Sequence, residues 1–205
     1  MLLVYLLSVL HAATALAQTV IVTVQPPIPS DVPQWASDRL FTSAVLNSTN
    51  TYRAEHNASD VTWNETLARF ASAHLDDDDG GGGCDFEHSG GPYGENLAIG
   101  YPNVTASVEA WGDERGGYDF GAAEFSPETG HFTQLVWKDT TDVGCERRLC
   151  GRRGWYLACE YWPRGNVQGQ FEAQVEPQEG GSSRLGPQRG ALLACLVLVW
   201  CRGLL

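Results

Sequence analysis

Three stretches of this 205-residue chain carry side chains able to do chemistry. The first is residues 130–137, Gly-His-Phe-Thr-Gln-Leu-Val-Trp, which sets His131 among apolar and aromatic neighbours. Phe132 and Val136 are four apart, as are Thr133 and Trp137, so each pair shares one side of a helix. Ser126 and Pro127 suit its N-cap and first position. A helix that is apolar most of the way round is buried, so its imidazole must be hydrogen-bonded, metal-bound or catalytic. On these residues alone a hydrogen-bonded core histidine is the simpler reading. The second stretch, residues 84–100, is rich in Gly, Pro and Ser and reads as irregular backbone bearing His88, Tyr93, Glu95 and Asn96. Sites tend to sit on such backbone; a turn-rich loop with chance polar residues is the alternative. The third is Glu114, three residues beyond Trp111 at the end of an apolar stripe of Val104, Val108 and Trp111. There a carboxylate can face a cleft, whereas on an ordinary helix an acid at that place is a solvated flank.

The elements that would hold these residues follow from periodicity and caps. Residues 35–56 read as a first helix capped by Ser37 or Asp38, and residues 61–64 as a short break. A second helix starts at Asn64 with Leu67, Phe70 and Ala71 as its apolar stripe. Asn103 or Thr105 caps a third, and the aromatic loop 116–126 leads into the His131 helix. Residues 143–149, 155–162 and 167–175 are spaced as strands, with a hairpin turn at 151–154. In 155–162, Trp155, Leu157, Cys159 and Tyr161 face one way and Tyr156, Ala158 and Trp162 the other, so that strand is covered on both sides. Helices on both faces of a clustered sheet predict an α+β fold, a three-layer αβα sandwich around a central antiparallel sheet.

The ends and composition set the compartment. Residues 2–16 are apolar and end in Ala15-Leu16-Ala17, which predicts a secretory signal over 1–17. Residues 18–37 are Pro-rich and read as an extended linker that packs little; the domain then spans 38–176. Residues 177–205 run from small residues through a polar spacer to an apolar tail, the order of a glycosylphosphatidylinositol attachment signal, with Gly181 and Ser182 at the attachment position. Simple secretion with a frayed tail is the alternative. Thirteen Lys and Arg against 25 Asp and Glu give a net charge of −12, which excludes nucleic acid as a direct partner. The run of aspartates and glycines at 76–83 reads as a solvated loop; contiguous acids lack the alternating spacing that wraps calcium. Asn47, Asn57, Asn64 and Asn103 each open a glycosylation sequon. With Cys195 and Cys201 in the tail, Cys84, Cys145, Cys150 and Cys159 remain for disulfides in an oxidising compartment. Cys150 and Cys159 flank the hairpin turn and read as the local pair, which leaves Cys84 with Cys145.

Several of these stretches occur together in one known family. His88-Ser-Gly-Gly-Pro-Tyr-Gly-Glu95-Asn-Leu-Ala, Trp111-Gly-Asp-Glu114, residues 130–137 and Val143-Gly-Cys145 resemble the signatures of the CAP superfamily. That superfamily takes in cysteine-rich secretory proteins, antigen 5 and pathogenesis-related proteins. Leu157-Ala-Cys159-Glu-Tyr161 followed by Gly165-Asn166 looks like its last signature, and the likeness is greatest to fungal secreted members.

The resemblance implies a cleft lined by His88, Glu95, Glu114 and His131, which in some members holds a divalent cation, usually zinc, through the two histidines. Two imidazoles make a weak site whose binding fades as they protonate; a mutually hydrogen-bonded polar network is the alternative. It also implies binding of sterols or other small lipids without catalysis, by the aromatic loop carrying Tyr118, Phe120 and Phe125. A metal-dependent hydrolase or protease is the runner-up. No serine or cysteine sits in an evident relay, and the His-Glu-x-x-His motif is absent from the sequence. A surface or effector protein acting through protein partners is the third possibility.

Overall fold

The computed structural model describes residues 32–76 and 84–178. The signal at 1–17, the linker as far as 31, the Asp and Gly residues from 77 to 83 and the tail with Gly181 and Ser182 lie outside the described residues. Within them the elements are α1 (Pro33–Ala36), α2 (Asp38–Glu55), β1 (Thr62–Trp63), α3 (Glu65–Asp76), β2 (Gly94–Ile99), α4 (Val104–Asp113), α5 (Gly130–Leu135), β3 (Asp142–Leu149), β4 (Trp155–Trp162) and α6 (Phe171–Gln174). A 3₁₀ turn over Glu114–Gly117 follows α4. The sheet order is β1-β3-β4-β2. β4 lies antiparallel to both β2 and β3, and the two residues of β1 add a parallel edge to β3.

β4 is covered on both faces, as its alternation requires. Leu157, Cys159 and Tyr161 join the main core with α2, α4 and α5, while Tyr156 and Ala158 join Ala71 and Leu75 of α3 in a second core. The result is the predicted αβα sandwich. Caps fix the helix starts: Ser37 accepts the Leu40 amide, Asn64 the Thr66 amide at 2.9 Å and Asn103 the Ala106 amide at 2.8 Å. Among the sequon asparagines, Asn64 and Asn103 are therefore half-buried caps, and Asn47 and Asn57 are exposed.

Five expectations change. The linker reading fails over its last residues: Trp35 is buried and stacks on Trp155 at 5.5 Å, so packing begins before residue 38. Residues 94–99, taken as irregular, are the edge strand β2, because the ladder to β4 holds Gly-rich backbone that composition alone would leave loose. Residues 167–175 are no strand. A turn with Gly169 at φ +80° and the short α6 bring Phe171 edge-on to Trp137 at 5.1 Å. The His131 helix starts at Gly130 rather than after Ser126, and it stops at Leu135, with Val136 and Trp137 buried beyond it.

The disulfides are Cys145–Cys159 and Cys84–Cys150. The pairing chosen from the hairpin is wrong for a register reason. Leu149 faces Trp155, so Cys145 falls directly opposite Cys159, 4.1 Å away at Cα, and Cys150 lies in the turn beyond the ladder. Cys150 is then free to hold the start of the site loop through Cys84.

Candidate functional site

α5 has only six residues, too few to stand alone. Both of its ends are held by charges that suit its dipole. At the C-terminal end the fully buried Arg53 of α2 donates to the carbonyls of Leu135 at 3.1 Å, Trp137 at 2.9 Å and Thr140 at 2.7 Å. Burial lowers the Arg53 guanidinium to about 10, still charged at neutral pH. At the N-terminal end the Glu114 carboxylate accepts the His131 and Phe132 amides, each at 3.1 Å. Its other oxygen lies 2.6 Å from His131 Nδ1. Asn166, at φ +56°, donates to the Gly130 carbonyl at 2.9 Å and accepts the Thr133 hydroxyl at 2.6 Å, closing the same end.

The second histidine is held in the same manner. Glu95 on β2 lies 2.5 Å from His88 Nδ1 and accepts the Ser89 amide at 3.1 and 3.2 Å. Burial pushes the Glu95 carboxyl up, but the hydrogen bonds from Ser89 and His88 outweigh it and hold the group below the usual carboxylate range. The His88 side chain is 66% exposed and that of Glu95 only 7%. Asn96 donates to the His131 carbonyl at 3.0 Å and ties β2 to α5. His88, Glu95 and His131 line one pocket of about 190 Å³. It adjoins a cleft of about 310 Å³ whose wall includes Tyr93, Phe125, Arg164, Asn166 and Gln168.

The four predicted residues therefore sort into two His–Glu pairs. Each glutamate stands behind its imidazole and is occupied by backbone amides, a poor arrangement for a mobile general base. The arrangement orients the rings with Nε2 outward, as partners behind metal-ligating histidines do. Among the described residues no group of three or more His, Cys, Asp or Glu is placed to hold a metal ion. A cation here would have two imidazoles and otherwise water. Ser89 Oγ accepts the Gly91 amide at 3.2 Å rather than serving a relay to His88.

The aromatic loop is divided. Tyr118 is 7% exposed, edge-on to Phe120 at 4.8 Å and to Phe132 at 5.7 Å, so it belongs to the core. Phe120 is half-buried and walls a groove of about 320 Å³ between residues 120–124 and 168–172. Phe125 is 42% exposed and faces the cleft instead.

Sequence reasoning passed over Arg53 and Arg164. A lone cation at helical spacing from Thr49 and His56, in a buried stripe, was the signal for Arg53; nothing marked Arg164.

The model of the cysteine-rich secretory protein family, CAP, matches residues 46–161, more than half of the chain. The chain belongs to the CAP family. Protein PRY2 of Saccharomyces cerevisiae is 46% identical over 139 residues, covering 67% of this chain and 41% of that protein. The secreted protein RBT4 of Candida albicans is 38% identical over 151 residues, covering 71% of this chain and 39% of that one. This CAP chain thus spans about two fifths of the length of these fungal relatives. Among solved structures, the hookworm platelet inhibitor superposes with a TM-score of 0.54 at 17% identity, over 69% of this chain and 78% of that one, which shows the shared fold. No helix among the described residues is long and apolar enough to cross a membrane.

Proposed function

We propose that this CAP domain acts outside the cell and binds a small, flat apolar ligand, a sterol being the expected class, without chemical turnover. The groove beside Phe120 carries this reading. One wall is the Phe120 ring with the small residues Gly121, Ala122 and Ala123 and the acid Glu124, and the other runs from Gln168 to Phe171 and Glu172, so the two phenylalanine rings and the alanines supply its apolar part. Its volume of about 320 Å³ falls at the low end of small-molecule sites. Small residues on one wall let a rigid ring system approach the backbone, and the carboxylates of Glu95 and Glu114 are engaged by backbone amides, which favours a holding role for them. Relatives named as secreted support an extracellular setting. Titration of the purified protein with cholesterol and ergosterol should saturate. A flat response to both, beside a working positive control, would overturn the assignment.

A second reading rests on the imidazole geometry. His88 and His131, each with Nδ1 against a carboxylate, would hold a zinc-like divalent cation through Nε2, with Glu95 and Glu114 orienting the rings. Such a cation would polarise bound water or an oxygen ligand. Calorimetric titration with zinc at pH 7.5 should show modest binding that is lost in His88→Ala; flat heats with the wild-type protein would remove this reading.

A further inference from the structure

His56 is the residue that turns the end of α2 under the aromatic loop. It follows Glu55, is 1% exposed, and lies below residues 118–125 in a cage of rings. Phe120 lies parallel to it, with 6.1 Å between centroids and 9° between planes, and Phe132 meets it edge-on at 4.9 Å. Tyr118 packs edge-on against both phenylalanines. Nδ1 of His56 is 2.6 Å from the Glu176 carbonyl. A carbonyl only accepts, so Nδ1 carries the hydrogen and Nε2 of the neutral ring holds a lone pair. Nε2 is buried and has no hydrogen-bond partner among the described residues.

We infer that His56 is the seat on which Phe120 closes the 118–125 loop, and that adding a proton at Nε2 releases the loop. The second proton would create a cation inside a cage of aromatic rings with no acceptor aimed at it. The charged groups around it are engaged elsewhere. Glu55 on its own helix pairs with Arg115 of the 3₁₀ turn, the Glu176 carboxylate takes Lys138 and Asn57, and Asp119 of the loop accepts the Gly121 and Ala122 amides. α5 presents the apolar Phe132 to the ring, and the Tyr118 hydroxyl is itself buried without a partner among the described residues. Among the cage rings, Tyr118 and Phe132 are buried and Phe120 is half-buried, so Phe120 is the ring that can leave and let water in. Its neighbours 121, 122 and 124 are already exposed.

The direction of the response follows from the two states. Burial holds the closed-state imidazole below its ordinary value, against the pull of the Glu176 carbonyl. An opened loop restores a value near 6.5. Closure is therefore strongest above about 6.5 and weakens as pH falls from there to the depressed value. Because Phe120 walls the groove, the consequence for ligand release rests on the sterol reading; the motion itself does not.

The test is hydrogen–deuterium exchange of the ligand-free full chain at pH 7.5 and 5.0, corrected for intrinsic rates. Protection of peptides over residues 118–125 should fall by about tenfold for each unit of depression, while peptides of α4 stay protected. His56→Phe, which keeps a ring and loses the proton site, should show no such fall. Phe120→Ala should show low protection at both pH values. A wild-type response matching that of His56→Phe, or full protection of the loop in Phe120→Ala at pH 7.5, overturns the inference. No ligand enters the measurement, so a failed sterol titration and a failed latch are told apart.

Discussion

Glu114 and His131 are joined twice. One carboxylate oxygen lies 2.6 Å from His131 Nδ1, and the other accepts the His131 backbone amide at 3.1 Å together with that of Phe132. The helix that presents the histidine has no other side-chain cap at its N-terminus, since Thr129 supplies none. A residue that spacing alone marks as a cleft acid is thus first a helix cap and an imidazole holder.

Glu114→Gln separates those roles from any metal chemistry. The amide keeps one acceptor oxygen, so its NH₂ must face either the ring or the two backbone amides. Stability should fall by about 1 kcal/mol, read as a lower Tm. If zinc binds, its affinity should drop about 10- to 100-fold, read by calorimetry. An unchanged Tm would remove the capping role.

Gly144→Ala should be among the most damaging substitutions in the sheet. A Cβ at that position would stand 2.4 Å from the Asn64 carbonyl oxygen and 2.3 Å from the Ala68 amide, both backbone atoms of the α3 start. Neither can swing aside, so α3 must lift off β3. The expected cost is about 3 kcal/mol or more, measured by urea unfolding. A loss below about 1 kcal/mol would mean that the helix-to-strand contact is not fixed.

Mild reduction should open the two disulfides in order. Cys84 is half-buried and gives access to its bond with the buried Cys150, whereas Cys145 and Cys159 are both buried within the ladder. Access governs thiol exchange, so limited reductant followed by alkylation should label Cys84 and Cys150 first. The loop that presents His88 should loosen with them. Equal labelling of all four cysteines would contradict this.

How much of this was legible depended on whether the decisive constraint was local. The two faces of β4 could be read because Leu157, Cys159 and Tyr161 alternate with Tyr156 and Ala158, and each set meets its own core. The α4 cap could be narrowed to Asn103 or Thr105 because capping is settled within three residues, and Asn103 fills it. The disulfides were misread because their partners follow from strand register, which Leu149 opposite Trp155 sets and proximity in sequence does not. β2 was missed because its Gly and Asn have little strand propensity, and its order comes from β4. Residues 167–175 mimic a strand by alternation, yet Phe171 is placed by Trp137. In the site, motif likeness named the four His and Glu residues; that the glutamates stand behind the rings depends on how β2 and the end of α4 are brought to His88 and His131 by the fold.

Phe120→Ala should weaken sterol binding more than Phe125→Ala. Phe120 walls the groove, while Phe125 faces the cleft, with its ring centroid 6.4 Å from that of Phe171. Removing one ring from an apolar contact costs about 1.5–3 kcal/mol, or roughly 10- to 100-fold in Kd. Equal losses at both positions would move the ligand toward the cleft.

Glu160 supplies a pH signature opposite in sense to that of His56. It lies directly across the β2–β4 ladder from Glu95 and is 0% exposed. Two like charges facing each other across a ladder repel. Burial first, and then the Glu95 charge, push the Glu160 carboxyl up to about 9, so the folded state keeps its proton at neutral pH. The unfolded chain releases that proton near its ordinary value of 4.5. Between these values the folded state binds more protons, so stability falls as pH rises through the window and is flat on either side. By pH 7 the loss from this group amounts to about 3 kcal/mol. Glu160→Gln keeps the volume, offers an NH₂ to Glu95 and cannot ionise. It should raise stability at pH 7 by up to about 3 kcal/mol and give almost nothing near pH 4. Urea unfolding of both proteins at several pH values measures the difference; parallel stability curves across that range would show that Glu160 does not carry the buried proton.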